Sequence, residues 1–221
     1  MKAPVNLKKK PVSPFQRGFA LLLLILVLLS GCAAKKAPSP IEKPPQKGYR
    51  EVLNKWTRGK KVFEGMESRL YFTATYKDPE FRAAYIDRYA QSYQLGDEMR
   101  KALLDRETEQ SEKFNEFFFA AYTPDQNWND FDRTNSVWKL YLEDNAGSRL
   151  TPVSITKVDP SDQLIREFFP YFDMWSSGYI VKFPKYSEAG QEPIPSANTS
   201  YLKLVVTGVL GKGELEWRLK E

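Results

Sequence analysis

Residues 201–220 read YLKLVVTGVLGKGELEWRLK. Tyr201 to Leu210 is dense in β-branched and apolar residues. Leu215, Trp217 and Leu219 then alternate with Glu214, Glu216, Arg218 and Lys220. A period of two marks a strand with one face buried. Gly211-Lys212-Gly213, lying between the two runs, reads as a tight connection, so the segment is expected to form an antiparallel hairpin. A chain that ends on such a hairpin is built on antiparallel sheet.

Upstream the same pattern recurs. Trp138, Leu140 and Leu142 alternate with Lys139, Tyr141 and Glu143. The turn Asp144-Asn145-Ala146-Gly147 follows, and Leu150 to Val158 reads as the returning strand, with Pro152 placing it at an edge. Tyr179 to Phe183 is a further strand. Phe114 to Tyr122, FNEFFFAAY, fits a helix or a strand buried on both faces; a strand over Glu116 to Tyr122 is the reading adopted. From Met66 to Tyr76, Leu70, Phe72, Ala74 and Tyr76 share one face while Arg69, Tyr71, Thr73 and Thr75 share the other.

Helical signals interrupt the strands. Tyr49 to Lys55 reads as a short helical lead-in. Asp78-Pro79-Glu80 supplies a cap, a proline at the first helical position and an acid in the first turn. Phe81, Tyr85, Tyr89 and Tyr93 follow at a spacing of four, and Gly96 is the expected stop. Asp97 is expected to cap a second helix whose end, Arg106 to Lys113, is polar throughout. Asp159-Pro160-Ser161-Asp162 starts a short helix that Pro170 ends. The fold class expected is α+β: an antiparallel β-sandwich of about seven strands, immunoglobulin-like, with a helical hairpin inserted after the first strand. The competing architecture is one curved antiparallel sheet with helices on a single face.

The N-terminus has a different character. Met1 to Arg17 carries five basic residues and no acid, and eleven apolar residues, Phe19 to Leu29, follow. A positive region, a short apolar run and small residues make a secretory signal. The run is shorter than the roughly 20 residues a permanent membrane helix needs. Leu29-Ser30-Gly31-Cys32 resembles the lipobox of bacterial lipoproteins. The resemblance covers the first 32 residues. It implies diacylglycerol transfer to the Cys32 sulfur, cleavage before Cys32 and acylation of the new amino group. Each buried methylene of such chains contributes about 0.8 kcal/mol, so several chains hold the protein on a membrane. In that family an acidic residue after the cysteine is associated with inner-membrane retention. Ala33 and Ala34 stand there, which implies an outer-membrane location facing the periplasm. Ala33 to Gly48, with four prolines, reads as an extended stalk reaching roughly 50 Å at about 3.1 Å per residue. The expected organisation is a signal peptide over 1–31, lipidated Cys32 and linker over 32–48, and one globular domain over 49–221.

Composition removes several function classes. The chain has no histidine, so the usual general base and imidazole metal ligand are missing. Cys32 is the single cysteine, and the body must hold together without disulfides. The net charge of +5 belongs to the signal segment: it takes five of the 33 basic residues and leaves 28 against 28 acidic ones. A neutral body carries no electrostatic footprint for nucleic acid.

Asp125, Asn127, Asn129, Asp130 and Asp132 space oxygen-bearing side chains as a calcium loop does. The loop glycine and the closing glutamate are absent, Asp130 and Ser136 standing there instead, so an Asx-rich turn is the better reading. No metal site, cofactor or catalytic residue is assigned. The same acids could form a glycosidase pair, but no spacing singles one out. Trp128, Phe168, Phe169, Tyr171, Phe172 and Trp175 could present an aromatic surface to a sugar or a protein, or fill a core. The long loops, 123–133 and 184–200, are where recognition is expected, with Trp128, Asn127, Asn129, Asp130 and Asp132 as the partner-binding candidates. The function expected is a non-catalytic binding or structural module, anchored to the membrane through Cys32, for another envelope component, a protein in the first instance. The alternatives are a glycan-binding module and a carboxylate-dependent enzyme on envelope polysaccharide.

Overall fold

The computed structural model describes residues 47–186, 190 and 192–220. The signal peptide, the lipidation site at Cys32 and nearly all of the 32–48 linker lie outside them. Among the described residues nine strands form two antiparallel sheets. The first sheet has the order β1 (Thr57–Glu64), β2 (Glu67–Tyr76), β3 (Phe114–Tyr122), β7 (Ser177–Pro184) and β6 (Ser154–Lys157). The second has the order β5 (Arg149–Leu150), β4 (Trp138–Asp144), β8 (Tyr201–Gly208) and β9 (Gly211–Arg218). With four α-helices among the described residues, the class is α+β as expected, while the strands number nine rather than about seven.

The triple phenylalanine of β3 is buried on both sides of its sheet. Phe117 and Phe119 point toward the second sheet: Phe117 meets Trp217 at 5.3 Å between ring centroids, and Phe119 meets Phe131, which stacks on Trp138. Phe118 points the opposite way and stacks on Phe169 at 4.0 Å. That second face is covered by the helices. Helix α1 (Lys47–Trp56) and helix α2 (Pro79–Ser92) bring Tyr49, Phe81 and Tyr85 against Phe168 and Phe169 at the end of α4 (Gln163–Phe168). Two of the expected aspartate caps form: Asp78 accepts from the Glu80 N–H, and Asp162 from those of Leu164 and Ile165, whereas Asp97 is not a cap but the first helical residue after Gly96. Helix α3 (Asp97–Lys113) buries none of its residues and lies against α2. Arg100 pairs with Asp87, and Arg82 with Glu107, across that contact.

Four further expectations are corrected. Residues 57–64, TRGKKVFE, form β1, so the helical pair follows the second strand; only Val62 of β1 is buried, and an edge strand this polar gives no period-two signal. The chain between α2 and α3 turns at Gln94, which takes φ 52°, while Gly96 occupies the cap before α3. The expected strand Leu150 to Val158 is divided: β5 pairs with β4, and after Pro152 the chain changes sheet so that β6 pairs with β7. The C-terminal hairpin turns at Val209-Leu210, Gly208 pairing with Gly211. Gly211 and Gly213 lie instead against the first sheet. A Cβ on Gly213 would stand 2.7 Å from the Phe72 ring, and one on Gly211 2.7 Å from Val62.

Candidate functional site

The helical layer covers only half of the outer face of the first sheet. Register places Tyr71 beside Tyr122, Thr73 beside Ala120 and Thr75 beside Phe118. Helix α4 and the aromatics behind it sit over the Phe118 end. The Tyr71 and Tyr122 end stays open, and the segment 171–176 rises along it as a wall. The result is a groove of about 530 Å³ lined by Tyr71, Thr73, Ala120, Tyr122, Tyr171, Asp173, Trp175 and Ser176.

Hydrogen bonds fix that wall. The Tyr171 hydroxyl lies 2.6 Å from the Thr75 hydroxyl, Thr75 lies 2.6 Å from Thr57, and Thr57 donates to the Leu53 carbonyl. Burial pushes the Tyr171 phenol well above its ordinary pKa, so it stays neutral at the end of this chain. Asp173 Oδ1 accepts from the Trp175 N–H, the Ser176 N–H and the Ser176 hydroxyl. This Asx turn holds the backbone while the Trp175 side chain stands out, its residue 67% exposed.

Opposite, rings line the sheet. Phe63, Tyr71 and Tyr122 follow one another with centroids 5.8 Å apart at each step. Lys61 Nζ sits 4.9 Å above the Tyr71 ring. Phe63, Met66, Met174 and Trp175 are all exposed.

The candidates in 123–133 divide. Trp128, half-buried at the end of a 3₁₀ turn, has the Arg69 guanidinium 5.6 Å from its ring and lines a second hollow with Met66 and Pro124. Asn127 and Asp132 are exposed. Asn129 and Asp130 are buried and hold the loop. The Asn129 amide donates to the Ala121 carbonyl, and its side-chain oxygen accepts from the Tyr179 hydroxyl. Asp130 accepts from the Ser136 hydroxyl and the Val137 N–H. Of the other aromatics singled out, Phe168, Phe169 and Phe172 are core, and Tyr171 and Trp175 reach the groove. Tyr71, Thr73 and Tyr122 were not singled out by sequence. The alternation in β2 does put Tyr71 and Thr73 on the face away from Phe72, but nothing local says that this face stays uncovered.

A second polar cluster sits where α2 and α3 meet β3. Glu116 pairs with Lys77 at 2.6 Å, Lys182 at 3.7 Å and Arg82 at 3.9 Å. Burial alone would raise the Glu116 pKa, but the charge and hydrogen bond of Lys77, with Arg82 and Lys182 adding to them, bring it below the ordinary glutamate value. These pairs tie the helical hairpin to the sheet.

An α+β body of two antiparallel sheets, with an aromatic groove on the half of one sheet that its helices leave open, is therefore the class of molecule defined by fold and site. Comparison with protein-family models, with curated proteins and with solved structures finds no match. Among the described residues no helix is long and apolar enough to cross a membrane.

Proposed function

We propose that this protein is a bacterial envelope lipoprotein, anchored through acylated Cys32 to the periplasmic face of the outer membrane, whose body is a non-catalytic module that binds another envelope component. The anchor rests on the signal-like N-terminus and on Leu29-Ser30-Gly31-Cys32. The observation that carries the binding role is the open half of the outer sheet face, where Trp175 is held out on a hydrogen-bonded turn opposite Tyr71 and Tyr122. Rigid placement of exposed aromatics lowers the entropy lost on capture. The competing reading is a carboxylate-dependent hydrolase; of the acids it would draw on, Asp130 accepts from the Ser136 hydroxyl and the Val137 N–H.

The same proposal takes the two sheets as layers of a β-sandwich of immunoglobulin-like kind. The ring contacts of Phe117 and Tyr76 with Trp217 support a shared interior.

Two measurements test the function. Mass spectrometry of membrane-extracted protein should find Cys32 as an acylated N-terminus, and Cys32→Ala should leave the precursor unprocessed. A processed, soluble product from that variant overturns the anchor. A photo-crosslinking amino acid placed at Trp175 in cells should form an adduct that the same group at exposed Lys101 of α3 does not form. Equal labelling at both positions overturns the binding role of the groove.

A further inference from the structure

We infer that the ligand of this groove is an uncharged saccharide chain, an inference that rests on the binding-module reading above. Three observations point to it. The floor is made by β2 and β3, interior strands whose neighbours on both sides are already paired. A peptide could not add there as a strand, because the backbone groups it would need are used. What the floor and wall offer instead are aromatic side chains, those of Tyr71, Tyr122 and Trp175, and side-chain polar groups, from Thr73, Asp173 and Ser176. A sugar ring presents C–H groups on its faces and hydroxyls around its rim, and so can use both at once.

Charge decides against the other ligand that aromatic groups with a carboxylate could take, a quaternary ammonium. Lys61 already stands over the Tyr71 ring, and a second cation there would be repelled. Asp173 is engaged through Oδ1 with its own turn, which leaves a carboxylate able to accept from a sugar hydroxyl through Oδ2. The groove, with Tyr71 and Tyr122 on the sheet and Tyr171 and Trp175 on the wall, encloses about 530 Å³, more than a single sugar ring fills.

The test uses the full chain in a detergent without a sugar headgroup. Cellotetraose, maltotetraose and tetra-N-acetylchitotetraose are titrated calorimetrically, with choline as a cationic arm. At least one tetrasaccharide should bind, and choline should not. Trp175→Ala should weaken that binding by about tenfold or more with an unchanged melting temperature, and Trp175→Phe should restore most of it. Absence of heat from all three tetrasaccharides, binding that Trp175→Ala leaves intact, or choline binding overturns the assignment. A protein adduct from the crosslinker at position 175, with no saccharide binding, leaves the binding-module reading standing and removes the saccharide.

Discussion

The indole N–H of Trp217 donates to the backbone carbonyl of Trp56 at 2.7 Å. This bond joins the last strand to the point where α1 passes into β1. Beside it the Arg58 guanidinium donates to the Glu216 carbonyl, and the Trp56 indole donates to the Glu80 carboxylate of α2. Second sheet, first sheet and helical layer therefore meet at one place, and the Trp217 ring fills it against Tyr76 and Phe117.

Trp217→Phe keeps most of the ring volume and removes the donor. The Trp56 carbonyl loses a buried partner, a loss of about 1–3 kcal/mol. Trp217→Ala adds a cavity and should destabilise by about 3–5 kcal/mol. Urea unfolding of the two variants measures the difference. Equal stabilities would show that the hydrogen bond and the lost volume are not separable.

Gly213→Ala places a methyl group 2.7 Å from the Phe72 ring, inside the contact of β9 with the first sheet. The ring cannot yield without moving its neighbours, so the substitution should destabilise by about 1–3 kcal/mol. Gly48→Ala, where nothing lies within 4 Å of the added atom, serves as the control. The melting temperature reads both.

Glu116 links stability to pH. Its folded-state pKa lies below the ordinary value, because Lys77, Arg82 and Lys182 outweigh the effect of burial. A depressed carboxylate contributes stability that is complete above the unfolded pKa, about 4.3, and is lost as pH falls through the folded value. The stability gap between wild type and Glu116→Gln should therefore be widest near neutrality and narrow below about pH 4. Asp78, which burial shifts upward, acts in the opposite sense but is common to both proteins and cancels. A gap that stays constant with pH would remove the charge from the account of this cluster.

In the 123–133 loop, Asn129→Ala should destabilise by about 1–3 kcal/mol, since the Ala121 carbonyl loses a buried partner, while the Tyr179 hydroxyl keeps the Asn129 backbone carbonyl as acceptor. Asn127→Ala should change little, because only its backbone N–H is engaged, by Asp125. Trp128→Ala should have an intermediate effect: the backbone carbonyl that accepts from the Trp138 indole remains, and the contact with Arg69 is lost. Thermal unfolding of the three variants gives the order.

The sequence alone determined what depends on near neighbours along the chain. Alternation in 67–76 and 138–144 set strand faces, Asp78-Pro79 and Asp162 set helix starts, and the absence of histidine removed whole classes of chemistry. Each of these is a property of a few consecutive residues or of a residue that is not there. Only the tertiary structure decided which faces meet. Gly211 and Gly213 look like turn residues, yet they serve the approach of β9 to Val62 and Phe72, which lie far away in sequence. Phe172 and Trp175 are equally apolar three residues apart, yet one is core and the other stands in solvent, because the Asp173 turn separates them. Tyr71 and Tyr122 form one platform through a register between strands that two helices separate. Burial and pairing across such distances follow from the packing energy of the whole body, and no local pattern carries that information.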